Sequence, residues 1–414
     1  MEDTRLIDIK DRIKAELTGE SLADGGWDEE EIVGYIDATL MTYPEYIPIK
    51  VKKDIRKCIM NEIIGYDVIS ELLENDDITD IMVNGESDIF YERNGKIHRY
   101  GKCFSSSAKL FDIIQHIAAG HNRIVNESEP IVDVRLKDGS RVNIVLPPVA
   151  INGPVVTIRK FPKHDFTLEK LIEIGSITKE AADFLKKLVH SRYNIFISGG
   201  TGTGKTTFLN ALSNYIPSDE RIVTIEDSAE LRIQGIENIV SLETRNANFE
   251  GNNEITMRDL IKSSLRMRPD RIIVGEVRGE ETLDMLQAMN TGHDGSLSTG
   301  HANSCKDMLS RLETMVLMGM ELPLPAIRSQ IASGIDILIH LGRLRDKSRK
   351  VLKIVEIAGM EQGEVMLHEL FRYEESGEEA RHVRGTLMRT GRLMHTEKCE
   401  RAGMNPEKEG SSGL

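Results

Sequence analysis

The chain has 414 residues, of which 40% are hydrophobic and 29% charged, with a formal net charge of -14. That length holds two or three domains at about 150 residues each, and the acidic balance argues against a protein whose main task is gripping nucleic acid by its phosphates. The four cysteines, Cys58, Cys103, Cys305 and Cys399, form no C-x-x-C pair; neither a zinc site nor a disulfide framework is expected, and the thiols suit a reducing cytosol. Met1-Glu2-Asp3 is acidic where a signal peptide is basic. No apolar run approaches the length of about 20 residues that spans a bilayer. A soluble, cytoplasmic protein is therefore expected, held at any membrane by partners.

Residues 1–75 read as a helical N-terminal extension. Leu6, Ile9, Ile13 and Leu17 follow helical spacing, and Gly25-Gly26 breaks it. A second helix starts near Asp28, where Glu29, Glu30 and Glu31 suit a first turn. Tyr43-Pro44 and Ile47-Pro48 mark a loop before a third helix through Ile55, Ile59 and Ile63. From Ile78 the apolar period changes to two, giving an α+β domain over 76–161. Its hairpin turns lie at Arg93-Asn94-Gly95-Lys96, Asp138-Gly139 and Asn152-Gly153, and Ser105-Ser106-Ser107 caps its helix. Residues 162–166 read as a linker.

Over 167–373 strands and helices alternate. Candidate strands at 194–198, 221–226, 271–275, 295–300 and 335–341 predict an α/β domain with a mostly parallel sheet and crossover helices. Residues 351–372 read as antiparallel strands closing that sheet, with Gln362-Gly363 at a turn. Residues 374–414 are polar and are expected to form a disordered tail ending at Gly410-Ser411-Ser412-Gly413.

The chemistry concentrates at Gly199-Gly200-Thr201-Gly202-Thr203-Gly204-Lys205-Thr206-Thr207, which fits G-x-x-x-x-G-K-[ST] between an apolar strand and a helix. Backbone N–H groups and the helix N-terminus face a polyphosphate, Lys205 reaches its terminal phosphates, and the Thr206 hydroxyl suits Mg2+. Ile225-Glu226-Asp227 ends another strand. In a parallel sheet the strand C-termini face the ligand, so Glu226, Asp227 and Glu230 are candidates for ordering Mg2+-bound or attacking water. Arg271-Ile272-Ile273-Val274-Gly275-Glu276 ends in a candidate general base, Glu276. Ser298-Thr299-Gly300-His301 places a histidine at a further strand end, beside the γ-phosphate region. Arg266, Arg268, Arg271 and Arg278 cluster in this half, and Arg266 or Arg278 is the candidate to stabilise transferred charge from a neighbouring subunit. No kinase or guanine-recognition pattern accompanies the loop, which favours ATP.

Taken together, the 199–206 loop, Ile225-Glu226-Asp227, Val274-Gly275-Glu276-Val277-Arg278 and Gly300-His301-Ala302-Asn303 resemble the type II/type IV secretion ATPase superfamily. They match its Walker A, Asp box, Walker B and His box in order and spacing. The stretch from Leu265 to Ser304 resembles the CpaF/TadA family of tight-adherence (Flp) pilus motors, and the likeness runs from about Ile78 to Leu344. This resemblance implies a RecA-like P-loop ATPase domain behind the smaller α+β domain, assembled as a ring of six. It implies ATP between the two domains, with hydrolysis moving an inner-membrane platform protein. On that pattern Glu276 is the catalytic glutamate, Glu226 and Glu230 belong to the Asp box and His301 to the His box. Arg141 and Arg159 fall where related proteins bring arginines to the phosphates. Gly300 stands where the family carries an apolar residue, which predicts a looser strand before His301. A nucleic-acid translocase on the same core and a non-hydrolysing scaffold are the alternatives. The first is disfavoured by the acidic balance and the second by the intact Lys205, Thr206 and Glu276.

Overall fold

The computed structural model describes residues 9–10, 12–17, 28–44, 46–93, 95–120, 123–136, 138–161, 167–245, 253–379 and 382–406. The chain divides into two compact units, Met1–Lys163 and His164–Leu414. Leu6, the Gly25-Gly26 break, the 162–166 linker and the 410–413 end lie outside the described residues.

The first unit holds two cores. Helical turns at 9–10 and 12–17 bury Ile9, Ile13 and Leu17 with Ile32, Ile36 and Leu40 of α1 (Glu29–Thr42) and Ile55 and Ile59 of α2 (Ile49–Ile63). Helix α1 starts on a capping box: Asp28 accepts from the Glu31 amide at 2.9 Å, and Glu31 accepts from the Asp28 amide at 2.9 Å. The second core belongs to a sheet. Its elements are α3 (Ser70–Glu74), β1 (Ile78–Asn84), β2 (Asp88–Arg93), β3 (Lys96–Arg99), α4 (Ser107–Ala119), β4 (Ile131–Arg135), β5 (Arg141–Val145) and β6 (Val155–Arg159). The six strands run in the order β3-β2-β1-β6-β5-β4, each pair antiparallel. Ser106 caps α4 by accepting from the Lys109 amide at 3.1 Å, and α4 buries Leu110, Ile113, Ile114 and Ile117 against the sheet. Ile69 and Leu72 also lie in this core, so the boundary of the helical extension falls before Ile69 rather than at residue 75.

The second unit is a three-layer α/β structure. Its elements are α5 (Leu168–Glu173), α6 (Lys179–His190), β7 (Ile195–Gly199), α7 (Lys205–Ser213), β8 (Ile222–Glu226), β9 (Ile239–Glu243), α8 (Met257–Ser264), β10 (Arg271–Val274), α9 (Glu281–Asn290), β11 (Leu297–Gly300), α10 (Cys305–Gly319), α11 (Leu324–Gly334), β12 (Ile337–Arg343), β13 (Arg349–Glu361), β14 (Glu364–Glu379), β15 (His382–Arg389) and α12 (Glu397–Arg401). Nine strands lie in the order β15-β14-β13-β12-β7-β11-β10-β8-β9. From β12 to β9 the pairs are parallel, and β12 through β15 are antiparallel. Strand alternation sends Ile195 and Ile197 to the face packed with α6 and α7, and Phe196 to the face packed with α9, α10 and α11. Both faces are covered, which is why the central strands read as unbroken apolar runs.

The expected disordered tail is corrected by the structure. Strand β14 continues past residue 373 to Glu379, and β15 adds an edge strand. The polarity of 374–389 is that of an edge ribbon: Val383 and Leu387 face inward and most neighbours face solvent. The following segment is docked on the sheet. Glu356, 1% exposed, accepts from the Met394 and His395 amides at 2.7 Å each, with His395 Nδ1 at 2.8 Å. Lys398 bridges Asp294 at 2.9 Å and Asp336 at 2.7 Å, and the Tyr193 hydroxyl donates to the His395 carbonyl at 2.7 Å. Strand β9 also went unpredicted. No helix among the described residues is long and apolar enough to cross a membrane.

Replacing Glu356 with Ala should release this segment and orphan two amides, costing about 3 kcal/mol. A lowered urea midpoint is the expected readout.

Candidate functional site

Strand β7 ends at Gly199, and the chain turns through Gly200–Gly204 into α7. The turn requires glycine. Gly202 and Gly204 have φ of +71° and +92°, the left-handed region. A Cβ on Gly199 would lie 2.7 Å from both the Leu341 carbonyl and Thr203 Oγ1. The Thr203 hydroxyl donates to the Gly200 carbonyl at 2.9 Å, which tightens the loop. Helix α7 begins at Lys205, so the amides of its first turn have no carbonyl partner inside the helix. The loop thus has the form of an anion cradle, with Thr201 exposed at its tip and Thr206 and Thr207 half-buried in the first helical turn. These residues fit a nucleotide polyphosphate and its Mg2+, for which Thr206 supplies a hydroxyl; when bound, the ion would neutralise phosphate charge.

Parallel registers bring the other strand ends alongside. Gly300 pairs with Ser198, and Val274 pairs with Ile225 and Ser298. Lys205 Nζ, 3.5 Å from the Gly200 carbonyl, lies 3.2 and 3.4 Å from the two ring nitrogens of His301. His301 Nε2 in turn lies 2.8 Å from Glu276 Oε1, a contact by proximity without hydrogen-bond alignment. Glu276 Oε2 pairs with Arg278 at 3.2 Å, and Arg278 pairs with Asp227 at 3.4 Å. Five side chains therefore stand in contact in a row from the phosphate loop to the residue after β8. Burial lowers the Lys205 pKa, partly offset by Glu276 and reinforced by Arg278. Burial also lowers that of His301; Glu276 opposes the shift, while Lys205, Arg278 and Arg311 add to it. The pairing with Glu276 raises Arg278. Burial thus favours the uncharged form of the His301 ring, which lies beside Glu276.

Two expected roles read differently in space. The Glu226 carboxylate, 4% exposed, accepts from the Glu230 and Leu231 amides at 2.9 and 3.1 Å, so it pins the loop that follows its own strand. Glu230 contributes a backbone amide to that turn. Arg271 is fully buried in a two-pronged pair with Glu220, at 2.6 and 2.9 Å, and caps the Val189 carbonyl at 2.6 Å. It belongs to the sheet floor and not to the site. Arg278 acts within its own chain on Glu276, whereas Arg266 is exposed and makes no ion pair among the described residues. Gly300 leaves no gap: a Cβ there would meet Met308 at 3.0 Å and the Phe196 ring at 3.1 Å, so these side chains fill the space.

In the first unit, Arg141 pairs across the sheet with Arg159 and with Arg135, and Arg159 also pairs with Asp80. Arg159 Nε lies 3.3 Å from Asp80, and Arg135 Nε donates to the Gly139 carbonyl at 3.3 Å. Three like charges on adjacent strands repel one another. Arg135 stands directly opposite Arg141 in this register.

A family model described as type II/IV secretion system protein matches residues 64–405. A Mycobacterium tuberculosis protein named for conjugal transfer is 35% identical over 314 residues, covering 74% of this chain and 88% of its own. The type IV secretion system protein VirB11 of Brucella abortus is 34% identical over 296 residues, covering 65% and 82%. Among solved structures, the pilus retraction motor PilT with bound ADP superposes with a TM-score of 0.52 at 19% identity, covering 81% of this chain and 86% of PilT. These structures share the fold.

The two arginine environments predict opposite behaviour. Arg271→Met strands Glu220 in the interior and should cost about 3–5 kcal/mol, read by urea denaturation. Arg266→Ala should leave the denaturation midpoint within about 0.5 kcal/mol of the parent.

Proposed function

We propose, from the premise that the chain belongs to the type II/IV secretion system protein family, that it is the ATP-hydrolysing motor of a tight-adherence (Flp, type IV-like) pilus. The observation that carries the hydrolytic part is the chain Lys205–His301–Glu276–Arg278–Asp227, which ends on the phosphate loop. Lys205 and the loop amides bind the phosphates, with Gly199, Gly200, Gly202 and Gly204 allowing close approach. Glu276 orients or deprotonates the attacking water, and His301 holds Glu276 beside Lys205. Arg278 is positioned to exchange Glu276 for developing phosphoryl charge, and Arg266 is assigned to act on a neighbouring subunit. Glu226 and Glu230 shape the loop that carries Asp227. Arg141 and Arg159 are assigned to phosphate binding.

The Leu265–Ser304 stretch supports the pilus assignment. We assign the working form as a hexamer on the cytoplasmic face of the membrane, held there by platform proteins. A second reading, a motor of a conjugal transfer system, is favoured by the names of relatives in Mycobacterium tuberculosis and Rhizobium radiobacter, the latter 33% identical over 298 residues.

Purified protein should hydrolyse ATP without DNA. Glu276→Gln should keep nucleotide binding and lose at least about 100-fold in turnover; unchanged turnover would remove the assigned role. Lys205→Ala should weaken nucleotide binding itself, measured by fluorescent-nucleotide titration. In cells, Lys205→Ala should abolish surface pili, whereas lost DNA transfer with pili intact would favour the second reading.

A further inference from the structure

We infer that Thr299 is a positioning residue for hydrolysis: its hydroxyl and its own carbonyl grip the backbone on both sides of Glu276 and so aim that carboxylate. The inference rests on the ATPase reading of the site.

Strand β10 ends at Val274, whose partner on β11 is Ser298. The chain then leaves the strand through Gly275, Glu276 and Val277. Thr299, the next residue of β11, holds both feet of this arch. Its hydroxyl donates to the Gly275 carbonyl at 2.8 Å, and its carbonyl accepts from the Val277 amide at 3.0 Å. That carbonyl and that amide belong to the two peptide planes that flank Glu276. Peptide planes are rigid, so holding both sets the φ and ψ of the residue between them. The direction of the Glu276 Cα–Cβ bond follows. The Gly275 amide, bonded to the Ile225 carbonyl at 2.8 Å, ties the same foot to β8.

The carboxylate has little else to aim it. Glu276 Oε1 lies near His301 without an aligned hydrogen bond, and Oε2 meets the exposed Arg278. The backbone therefore carries most of the aim. Thr299 is fully buried, and strand alternation sets it on the face of Leu297, within the apolar core that also holds Ile197 and Ile273. Valine would fill the same space, and a hydroxyl buried there costs free energy unless it is bonded. Two neighbouring hydroxyls give the contrast. Thr224 on β8 and Ser298 on β11 are buried, and among the described residues neither hydroxyl has a hydrogen-bond partner. The Thr299 hydroxyl instead reaches the peptide group that leads into Glu276.

The test is single-turnover ATP hydrolysis with enzyme in excess, alongside steady-state KM and fluorescent-nucleotide titration. Thr299→Val should lower the rate about tenfold, with KM and nucleotide binding little changed. Thr299→Ser keeps the hydroxyl and should recover most of that loss. Thr224→Val is the same exchange on β8, where no hydrogen bond is lost, and should stay within about twofold of the parent. In a Glu276→Ala background, which leaves no carboxylate to aim, Thr299→Val should cause no further loss. A serine variant as slow as the valine variant would overturn the inference, as would equal fold-losses in both backgrounds. Thr299→Ala also lacks the hydroxyl; it must show the same dependence on Glu276 and serves if the valine variant does not fold. A wild-type protein that turns over no ATP would sink the functional reading. A hydrolysing protein in which Thr299→Val keeps the parental rate would sink this inference alone.

Discussion

The register of β7 between β11 and β12 is the constraint on which the site depends. Ser198 pairs with Gly300 on one side and with His340 on the other, and Leu341 pairs with Gly199. His301 therefore leaves the sheet one residue beyond the level of Ser198, where Gly199 opens the phosphate loop. The Gly275 amide bonds to the Ile225 carbonyl at 2.8 Å and the Val277 amide to the Thr299 carbonyl at 3.0 Å, which carries the same level across to Glu276 and Glu226. A one-residue slip in any of these strands would turn the chemistry into the core. The floor below is braced against such a slip. The Asn194 side chain accepts from the Gly295 and Ser296 amides and donates to the Met289 and Gly334 carbonyls, and Arg271 with Glu220 fixes the start of β10.

On that level the charged members of the row are graded. The Arg278 side chain is 60% exposed, so its pairs with Glu276 and Asp227 are surface pairs, worth about 0–1 kcal/mol. Lys205 is 7% exposed, and its charge is felt through less water. Arg278 is thus the member released most cheaply, and Lys205 the member held most firmly. Such a grading suits a site where one cation stays on the phosphates while another is exchanged. It also explains why Arg278 is compatible with contacts inside its own chain and a role in stabilising charge.

Motifs that state local chemistry were legible in the sequence. The phosphate loop, the apolar run to Glu276 and the strand ending at Gly300 are each contiguous, and their strand positions follow from short apolar runs. What stayed hidden depends on pairing between distant residues. Glu356 looks like any strand glutamate until Met394 and His395 arrive to bond it, so the polar stretch after 374 read as a tail. Arg271 sat in a basic cluster, and only Glu220, fifty-one positions away, makes it structural. Glu226 ended the right strand, but whether its carboxylate faced ligand or its own loop depended on the turn at Glu230.

Gly300 shows how rigid the floor of the site is. Its missing side chain is replaced by the Phe196 ring and Met308, which come close enough that a Cβ would lie 3.0–3.1 Å from them and force them to give way. Gly199 and Gly275 are similarly crowded, by the Leu341 carbonyl and by Glu226. Three strand ends at one level are therefore locked by close contact and not by hydrogen bonding alone. Close-packed contacts of this kind resist small displacements, since opening a gap forfeits contact energy on both sides. The strands are poor candidates for movement when a phosphate enters. What can move at low cost is the exposed part of the charge set above them, Arg278, whose side chain is 60% exposed, while Lys205 stays by the Gly200 carbonyl. The phosphate would be met by a rearrangement of charge over a fixed backbone, which is the arrangement electrostatic preorganisation requires.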